Sequence, residues 1–303
     1  MDMDGFLNLN KPAGFTSHDC VAKVRRLLNT KRVGHAGTLD PAATGTLPIA
    51  VGRATRLLQF LPVEKSYRAV IRLGIATTTD DLEGEILHQQ PATHLDLEMV
   101  QRALQQFHGT IQQLPPNYSA VQVDGKRLYD LAREGKAIEV KSRTVEVHQI
   151  KLVDWRSGDF PELEVDITCG SGTYIRAIAR DLGTALQTGG TLASLLRTAS
   201  SGFLVANSLT LEELATATQQ GDLPLISPEM ALAHVEMLVL RDAIARRWCL
   251  GQRIAWGDLD IEWAPTTPLR IHHESGQFLG IGQQQFRNDG YVLAPEVVYA
   301  TSA

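Results

Sequence analysis

Between residues 34 and 48 the chain reads Gly34-His35-Ala36-Gly37-Thr38-Leu39-Asp40-Pro41-Ala42-Ala43-Thr44-Gly45-Thr46-Leu47-Pro48. Three glycines and two prolines in so short a run specify a bent, irregular backbone, because glycine alone enters φ > 0 cheaply and proline fixes φ. The whole stretch therefore reads as a compact loop, anchored on a core by Leu39 and Leu47. It carries one imidazole, His35, and one carboxylate, Asp40, and a polar pair on an anchored loop is a candidate site. A purely local reading stands beside that one: Asp40 caps the turn before Pro41 and His35 hydrogen-bonds nearby.

With 303 residues, 44% of them hydrophobic and 21% charged, the chain is long enough for two domains, one of them large. It opens Met-Asp-Met-Asp, acidic where a signal peptide is basic, and no apolar run approaches the roughly 20 residues of a membrane span. A soluble cytoplasmic protein is expected. Cys20, Cys169 and Cys249 are far apart and lack C-x-x-C spacing, so they imply neither a disulfide framework nor a zinc site and are expected as buried thiols. The net charge of −5 is unevenly spread. Residues 1–75 hold eleven Lys/Arg against five Asp/Glu, while residues 251–303 hold three against six. A basic surface on an acidic protein is compatible with phosphate contacts, which depend on charge within a Debye length of about 8 Å. Many basic segments are simply solvated faces.

Taken in order, residues 6–10 alternate like a strand, and Thr16 with Asp19 forms a capping-box pattern opening an amphipathic helix from Ser17 to about Asn29. A short helix follows Gly52, and residues 67–74 form a strand with Tyr67, Ala69, Ile71 and Leu73 on one face. Residues 96–107 carry a helical stripe of Leu97, Val100, Leu104 and Phe107. The stretch 117–129, rich in Tyr, Gly, Lys and Arg, suits either an RNA-contacting loop or an ordinary hairpin followed by a helix at Leu128, Leu131 and Ala132. Residues 144–155 and 163–168 read as neighbouring strands. Cys169 to Arg176 is a glycine-loosened turn into a helix carrying Ile175, Ile178, Ala179 and Leu182. Arg176 then lies in the first turn, where the helix dipole disfavours a cation, so an anionic partner explains it better than helix stability does. An ordinary surface arginine, the commoner case for such a residue, stands beside that reading. Beyond about Leu232 short strands with Gly and Pro punctuation suggest a small β-barrel, preceded by a helix from Arg241 to Leu250. No dinucleotide fingerprint, P-loop, H-E-x-x-H or other metal-ligand cluster occurs.

The run from Gly34 to Pro48 resembles the signature of the bacterial tRNA pseudouridine-55 synthases, the TruB family, G-H-x-G-x-L-D-P-x-A-x-G-x-L-P, at each fixed position. Four more blocks resemble that family: Lys11-Pro12 within N-K-P-x-G-x-T-S, the K-x-Y strand at Tyr67 with Thr77 to Gly84, the segment Pro115 to Tyr129, and C-x-x-G-T-Y-I-R ending at Arg176. Residues 189–198 resemble its G-A-x-x-x-x-L-R-R-T, with Gly190 for the alanine and Leu196 for the first arginine, which leaves Arg197 as the retained cation; the next position, often basic, is Ala199.

The resemblance implies an α+β pseudouridine-synthase fold: a central mixed, mainly antiparallel sheet flanked by helices in residues 1–232, and a small PUA-like β-barrel in residues 233–303. It implies conversion of the T-loop uridine at tRNA position 55 to pseudouridine, an isomerisation that needs no nucleotide, flavin or metal. Partners are then tRNA, through its T-arm stem-loop, and no membrane, with the chain a monomer. Asp40 would be the essential carboxylate, Arg176 its partner, and Tyr67 the ring against the target base. His35 would brace the place vacated by the flipped nucleotide. Lys11, Tyr118, Lys126, Tyr129 and Arg197 would meet the RNA. Two other classes stand open on the residues alone: a non-catalytic RNA-binding or tRNA-folding protein, and a phosphoryl- or glycosyl-transferring enzyme with Asp40 as nucleophile. The latter chemistries want a second carboxylate, which the residues around Asp40 do not supply.

Overall fold

The computed structural model describes residues 3–116, 118, 122–123, 126–127, 141–259, 268–287 and 290–300. The chain builds β1 (Gly5–Lys11), helix α1 (Ser17–Leu27), β2 (Val33–His35), β3 (Thr44–Val51) and a 3-10 helix (Gly52–Phe60). There follow β4 (Lys65–Leu73), β5 (Ile75–Thr77), β6 (Ile86–Gln89), α2 (Leu97–Leu104), β7 (Gly109–Gln113), and the short β8 (Gln122–Val123) and β9 (Lys126–Arg127). Then come β10 (Arg143–Arg156), β11 (Glu162–Cys169), α3 (Ile175–Ala185), β12 (Gly190–Ser200), β13 (Phe203–Leu204), α4 (Leu211–Gln220) and α5 (Pro228–Ala231). The C-terminal part holds β14 (Met237–Leu240), α6 (Asp242–Cys249), β15 (Ile254–Ala255), β16 (Leu269–His273), β17 (Phe278–Arg287) and β18 (Gly290–Val298).

The main sheet runs β1-β3-β12-β4-β11-β10-β7, with β2 on β3 and β13 on β12. All its pairings are antiparallel except β12 with β3, where Leu196 faces Thr44 and Arg197 faces Gly45. Alternation decides its faces. Tyr67, Ala69, Ile71 and Leu73 are buried with Leu163, Val165 and Ile167 of the neighbouring strand, and helices α2 and α3 cover them with Val100, Leu104, Ile175, Ile178 and Leu182. A second core sets Leu7, Leu9, Leu47 and Ile49 against Cys20, Val21 and Val24 of α1 and Leu214 of α4. The α1 capping box forms as its residues require, with Asp19 N–H donating to Thr16 Oγ1 and Thr16 N–H donating back to Asp19.

Two expectations are corrected here. The run from Gly34 to Pro48 is not one loop: its ends are β2 and β3, and only residues 36–43 are irregular. β3 is buried along almost its whole length, so its composition is that of an interior strand rather than an alternating one. Gly45 is needed inside it, because at φ +106° a Cβ would run into the Arg197 carbonyl oxygen of β12. Pro48 is tolerated although it cannot donate, while its carbonyl accepts from Ala36 N–H at 2.9 Å. Cys249 is only partly buried, unlike Cys20 and Cys169. The helix read at Leu128, Leu131 and Ala132 lies outside the described residues.

The C-terminal strands form a second sheet, β14-β16-β17-β18-β15, around Trp248, Leu240, Ile254, Leu269, Ile271 and Leu293. A further apolar cluster joins Phe6, Ala50, Leu57, Phe203 and Leu232 to Ile281 and Val297, so the two sheets share buried surface. No helix among the described residues is long and apolar enough to cross a membrane.

Candidate active site

An irregular loop leaves backbone groups that no strand satisfies, and residues 36–43 meet that demand from beneath. Arg197, wholly buried on β12, donates from Nε to the Thr46 carbonyl at 2.7 Å, from NH2 to Gly37 at 3.1 Å and from NH1 to Thr38 at 3.4 Å. Lys11, also wholly buried, donates from Nζ to the carbonyls of Pro12, Phe15 and Pro41. Ser17 Oγ accepts from Leu39 N–H at 2.9 Å, and Gly14 N–H donates to Pro41 at 2.9 Å. Burial works against the charge on both cations, lowering the pKa of Lys11 and of Arg197. Direct RNA contact was expected of Lys11 and Arg197, and that expectation is corrected. Neither offers accessible surface to a phosphate; both hold the loop that carries Asp40.

That support has a measurable consequence. Arg197→Met removes a buried charge but leaves the carbonyls of Thr46 and Gly37 without their donor, at about 1 to 3 kcal/mol for each buried group left unpaired. A fall in Tm of about 5 to 10 °C is expected, together with loss of activity as the loop loosens. Calorimetry giving an unchanged Tm would show that the loop does not depend on this guanidinium.

Held in this way, Asp40 meets Arg176 in a fork: Nε to Oδ2 at 2.8 Å and NH2 to Oδ1 at 3.0 Å. The pair joins residues 136 apart in sequence. Its two members differ in access. The Arg176 side chain is 5% exposed, whereas that of Asp40 is 40% exposed, so a sunken guanidinium backs a carboxylate that faces outward. Arg176 spends further donors on the carbonyls of Thr79 and Tyr118, both at 3.0 Å. The first turn of α3 that presents it is itself fixed. The buried Gln113 side chain accepts from Tyr174 N–H at 2.7 Å and donates to the Tyr174 carbonyl at 3.0 Å.

Tyr67 enters from β4, directly opposite Arg197 in the register of β12. Its side chain is buried, which pushes its pKa up to about 12, while the charge of Arg197 pulls the other way. The hydroxyl is therefore protonated at neutral pH. His35, at the end of β2, is partly buried, and its pKa is lowered first by that burial and then by His18 and Arg197. Its ring meets the edge of His18 from α1, with centroids 5.7 Å apart. Tyr118 contributes its carbonyl to Arg176. Tyr129 and the Lys126 side chain lie outside the described residues.

Two neighbours escaped the sequence reading. Asp81, within the quoted block from Thr77 to Gly84, comes to 3.7 Å from Arg176 Nε and provides the second carboxylate beside the pair that residues local to Asp40 did not. Arg180, one turn after Arg176 on α3, donates to Asp80 at 3.0 Å, to Asp181 at 2.8 Å and to the Leu114 carbonyl at 2.8 Å. Asp80 adopts φ +62°, and its pKa is raised by burial against the pull of Arg180. Arg176 and Arg180 thus grip the same two segments, residues 79–81 and 114–118. The i, i+4 spacing on α3 was the available signal.

The assembled chemistry is an accessible carboxylate of fixed aim, an aromatic ring with a neutral hydroxyl, and an imidazole at the end of the strand that leads into the Asp40 loop. An accessible carboxylate of this kind can attack or deprotonate an electrophilic ligand that reaches it. Among the described residues no group of three His, Cys, Asp or Glu side chains is arranged to hold a metal ion.

Comparison with known proteins gives these features a context. The model of the N-terminal domain of the TruB family pseudouridylate synthases matches residues 25–175, and that of the pseudouridine synthase II TruB C-terminal region matches residues 237–298. The tRNA pseudouridine synthase B of Trichormus variabilis is 56% identical over 298 residues, covering 98% of this chain and 99% of that protein. That of Gloeobacter violaceus is 55% identical over 280 residues, covering 92% and 94%. Among solved structures, a chain in the crystal structure of a Cbf5–Nop10–Gar1 complex superposes with a TM-score of 0.74 over 97% of this chain and 84% of that chain. At 24% identity this is a likeness of fold, and it extends through the curled C-terminal sheet, which is PUA-like. With relatives this similar along nearly its whole length, the chain belongs to the TruB family of pseudouridylate synthases.

Proposed function

We propose that this chain is a tRNA pseudouridine synthase, an isomerase that converts the T-loop uridine at tRNA position 55 to pseudouridine. The observation that carries the reading is the forked pair of an exposed Asp40 carboxylate on a buried Arg176, in a chain whose full-length relatives are tRNA pseudouridine synthases. A uridine within a structured loop must leave its stack to reach that carboxylate, at a cost of a few kcal/mol. In this reading His35, with His18 at its edge, braces the vacated place, and Tyr67 receives the flipped ring. Asp40 acts as nucleophile or base while the N1–C1′ bond breaks, the uracil turns, and C5 bonds to C1′. The hydrogen on C5 leaves as a proton and N1 gains one, so the product is an isomer of the substrate. Arg176 holds Asp40 in aim. Residues 1–232 are proposed as the catalytic domain and 233–303 as a PUA-like domain, in a cytoplasmic monomer that grips the T-arm. Tyr118, Lys126 and Tyr129 are proposed to meet the RNA.

The direct test is release of tritium from 5-tritiated uridine in a T-arm stem-loop transcript. Turnover on that substrate supports the reading. Tight binding with no release on any tRNA would favour a non-catalytic RNA-binding protein. Tyr67→Phe probes the proton step, since it keeps the stacking ring and removes a hydroxyl whose pKa is pushed up to about 12. A drop of about 10² to 10⁴ in kcat with KM nearly unchanged is expected. Wild-type kcat in that variant would remove the hydroxyl from the reaction.

A further inference from the structure

Helix α1 leads away from the candidate active site, starting where His18 meets His35. Its inner face carries Cys20, Val21 and Val24, while His18, Ala22, Arg25 and Arg26 lie outward at spacings that keep one side of a helix in line. Asn29, at φ +47°, ends the helix and turns the chain back, and Thr30 N–H donates to the Arg25 carbonyl at 3.1 Å. Lys31 therefore returns beside the last helical turn. Ala22, Arg25, Arg26, Asn29, Thr30 and Lys31 line an open groove of about 590 Å³.

The groove is positive and uncompensated. Lys23, Arg25, Arg26, Lys31 and Arg32 are all exposed. Among the described residues none of them comes within 4.0 Å of a carboxylate, whereas Arg68, Arg72, Arg102, Arg156, Arg180, Arg246 and Arg247 are each paired. In a chain of net charge −5 this is not for want of acids. Arg25 is also held in place, donating from NH2 to the Val33 carbonyl at 3.0 Å, which leaves the rest of its fork for a ligand. A cluster of like charges destabilises itself unless something neutralises it.

We propose that this groove takes the phosphate backbone of the substrate RNA, on the stem side of the loop whose uridine reaches Asp40. The proposal rests on the RNA-modifying reading above. Position favours RNA over an acidic protein: from His18 to Asn29 the helix rises about 16 Å, so a strand with one base at Asp40 passes these cations within a few nucleotides.

The test uses the full-length chain, a full-length tRNA transcript, and Arg26→Gln combined with Lys31→Gln. Both side chains are exposed, so an unchanged Tm is expected. The slope of log affinity against log salt should become shallower by about 0.7 to 0.9 for each phosphate that is no longer neutralised. At about 0.15 M salt, affinity should fall about tenfold while kcat at saturating tRNA stays within twofold. A control, Arg102→Gln with Arg246→Gln, makes the same change in net charge elsewhere. An unchanged salt slope in the groove variant, or an equal loss in the control, would overturn the proposal, the first outcome leaving the groove to an acidic protein partner. Because the slope is read from binding, it separates failure of the groove from failure of catalysis, which tritium release by the unaltered chain reports.

Discussion

Asp40→Asn is expected to abolish tritium release, by on the order of 10⁴-fold or more, while the variant still binds the T-arm. The substitution keeps the size of the side chain and one oxygen that accepts from Arg176, but its amide nitrogen only donates, so the fork at 2.8 and 3.0 Å loses its charge and one of its two hydrogen bonds. It removes the one feature that no neighbour among the described residues supplies, a carboxylate on an outward-facing side chain. Asp81 does not replace it. At 3.7 Å from Arg176 it is the less exposed of the two acids, and its carboxylate accepts from the Glu83 amide within its own loop. A charge-assisted hydrogen bond is worth about 1.5 to 3 kcal/mol, and the partly solvated position of Asp40 reduces that value, so Tm should fall by only a few degrees. Two assays on one preparation decide the matter: filter binding with labelled stem-loop, and tritium release in single turnover. Retained binding with no release assigns the chemistry to Asp40. Full release would remove Asp40 from the reaction whatever else the site does.

The parts of this arrangement that were legible beforehand are those in which one residue's physics points to one place. Period-two alternation from Tyr67 to Leu73 could only be a half-buried strand, and Thr16 with Asp19 could only open a helix. A cation in the first turn of α3 called for an anion, and the family-like block around Asp40 named the candidate. What stayed hidden depends on partners distant in sequence. Lys11 and Arg197 were expected to meet the RNA because they are the cations kept in two family-like blocks, and a block match does not say whether a cation faces solvent. Their burial follows from backbone carbonyls that need donors, those of Pro12, Phe15 and Pro41 for Lys11 and of Gly37, Thr38 and Thr46 for Arg197, which come together only when β1 and β12 flank β3. β3 itself was masked by Gly45 and Pro48, which read as loop residues. There Gly45 answers a close approach by a neighbouring strand, and Pro48 sits opposite Asn8 in the ladder with β1. Arg180 was missed because its partners, Asp80 and the Leu114 carbonyl, belong to segments that no local pattern joins to α3.

Arg176→Lys should damage both fold and rate, and the proportion between them is informative. The side chain is 5% exposed and serves four oxygens, the two of Asp40 and the carbonyls of Thr79 and Tyr118. Lysine keeps the charge, so Asp40 is not left without a counterion. A single ammonium, however, cannot bridge both carboxylate oxygens and still reach the carbonyls on either side, which a planar fork does with fixed geometry. Buried carbonyls left unpaired cost about 1 to 3 kcal/mol each, and breaking a buried pair outright costs about 3 to 5 kcal/mol. The lysine variant should therefore be destabilised by about 2 to 4 kcal/mol, and Arg176→Ala by more. Asp40 would also be free to rotate away from its aim, a misplacement of the kind that costs about 10²-fold even where every reacting group remains. Calorimetry and single-turnover tritium release at a temperature well below the lowered Tm separate the two effects. A folded lysine variant with kcat down at least about 10²-fold marks the fork as the positioning device. Wild-type kcat would mean that charge alone suffices, and that the planar geometry of Arg176 serves only to join residues 79–81 and 114–118 to helix α3.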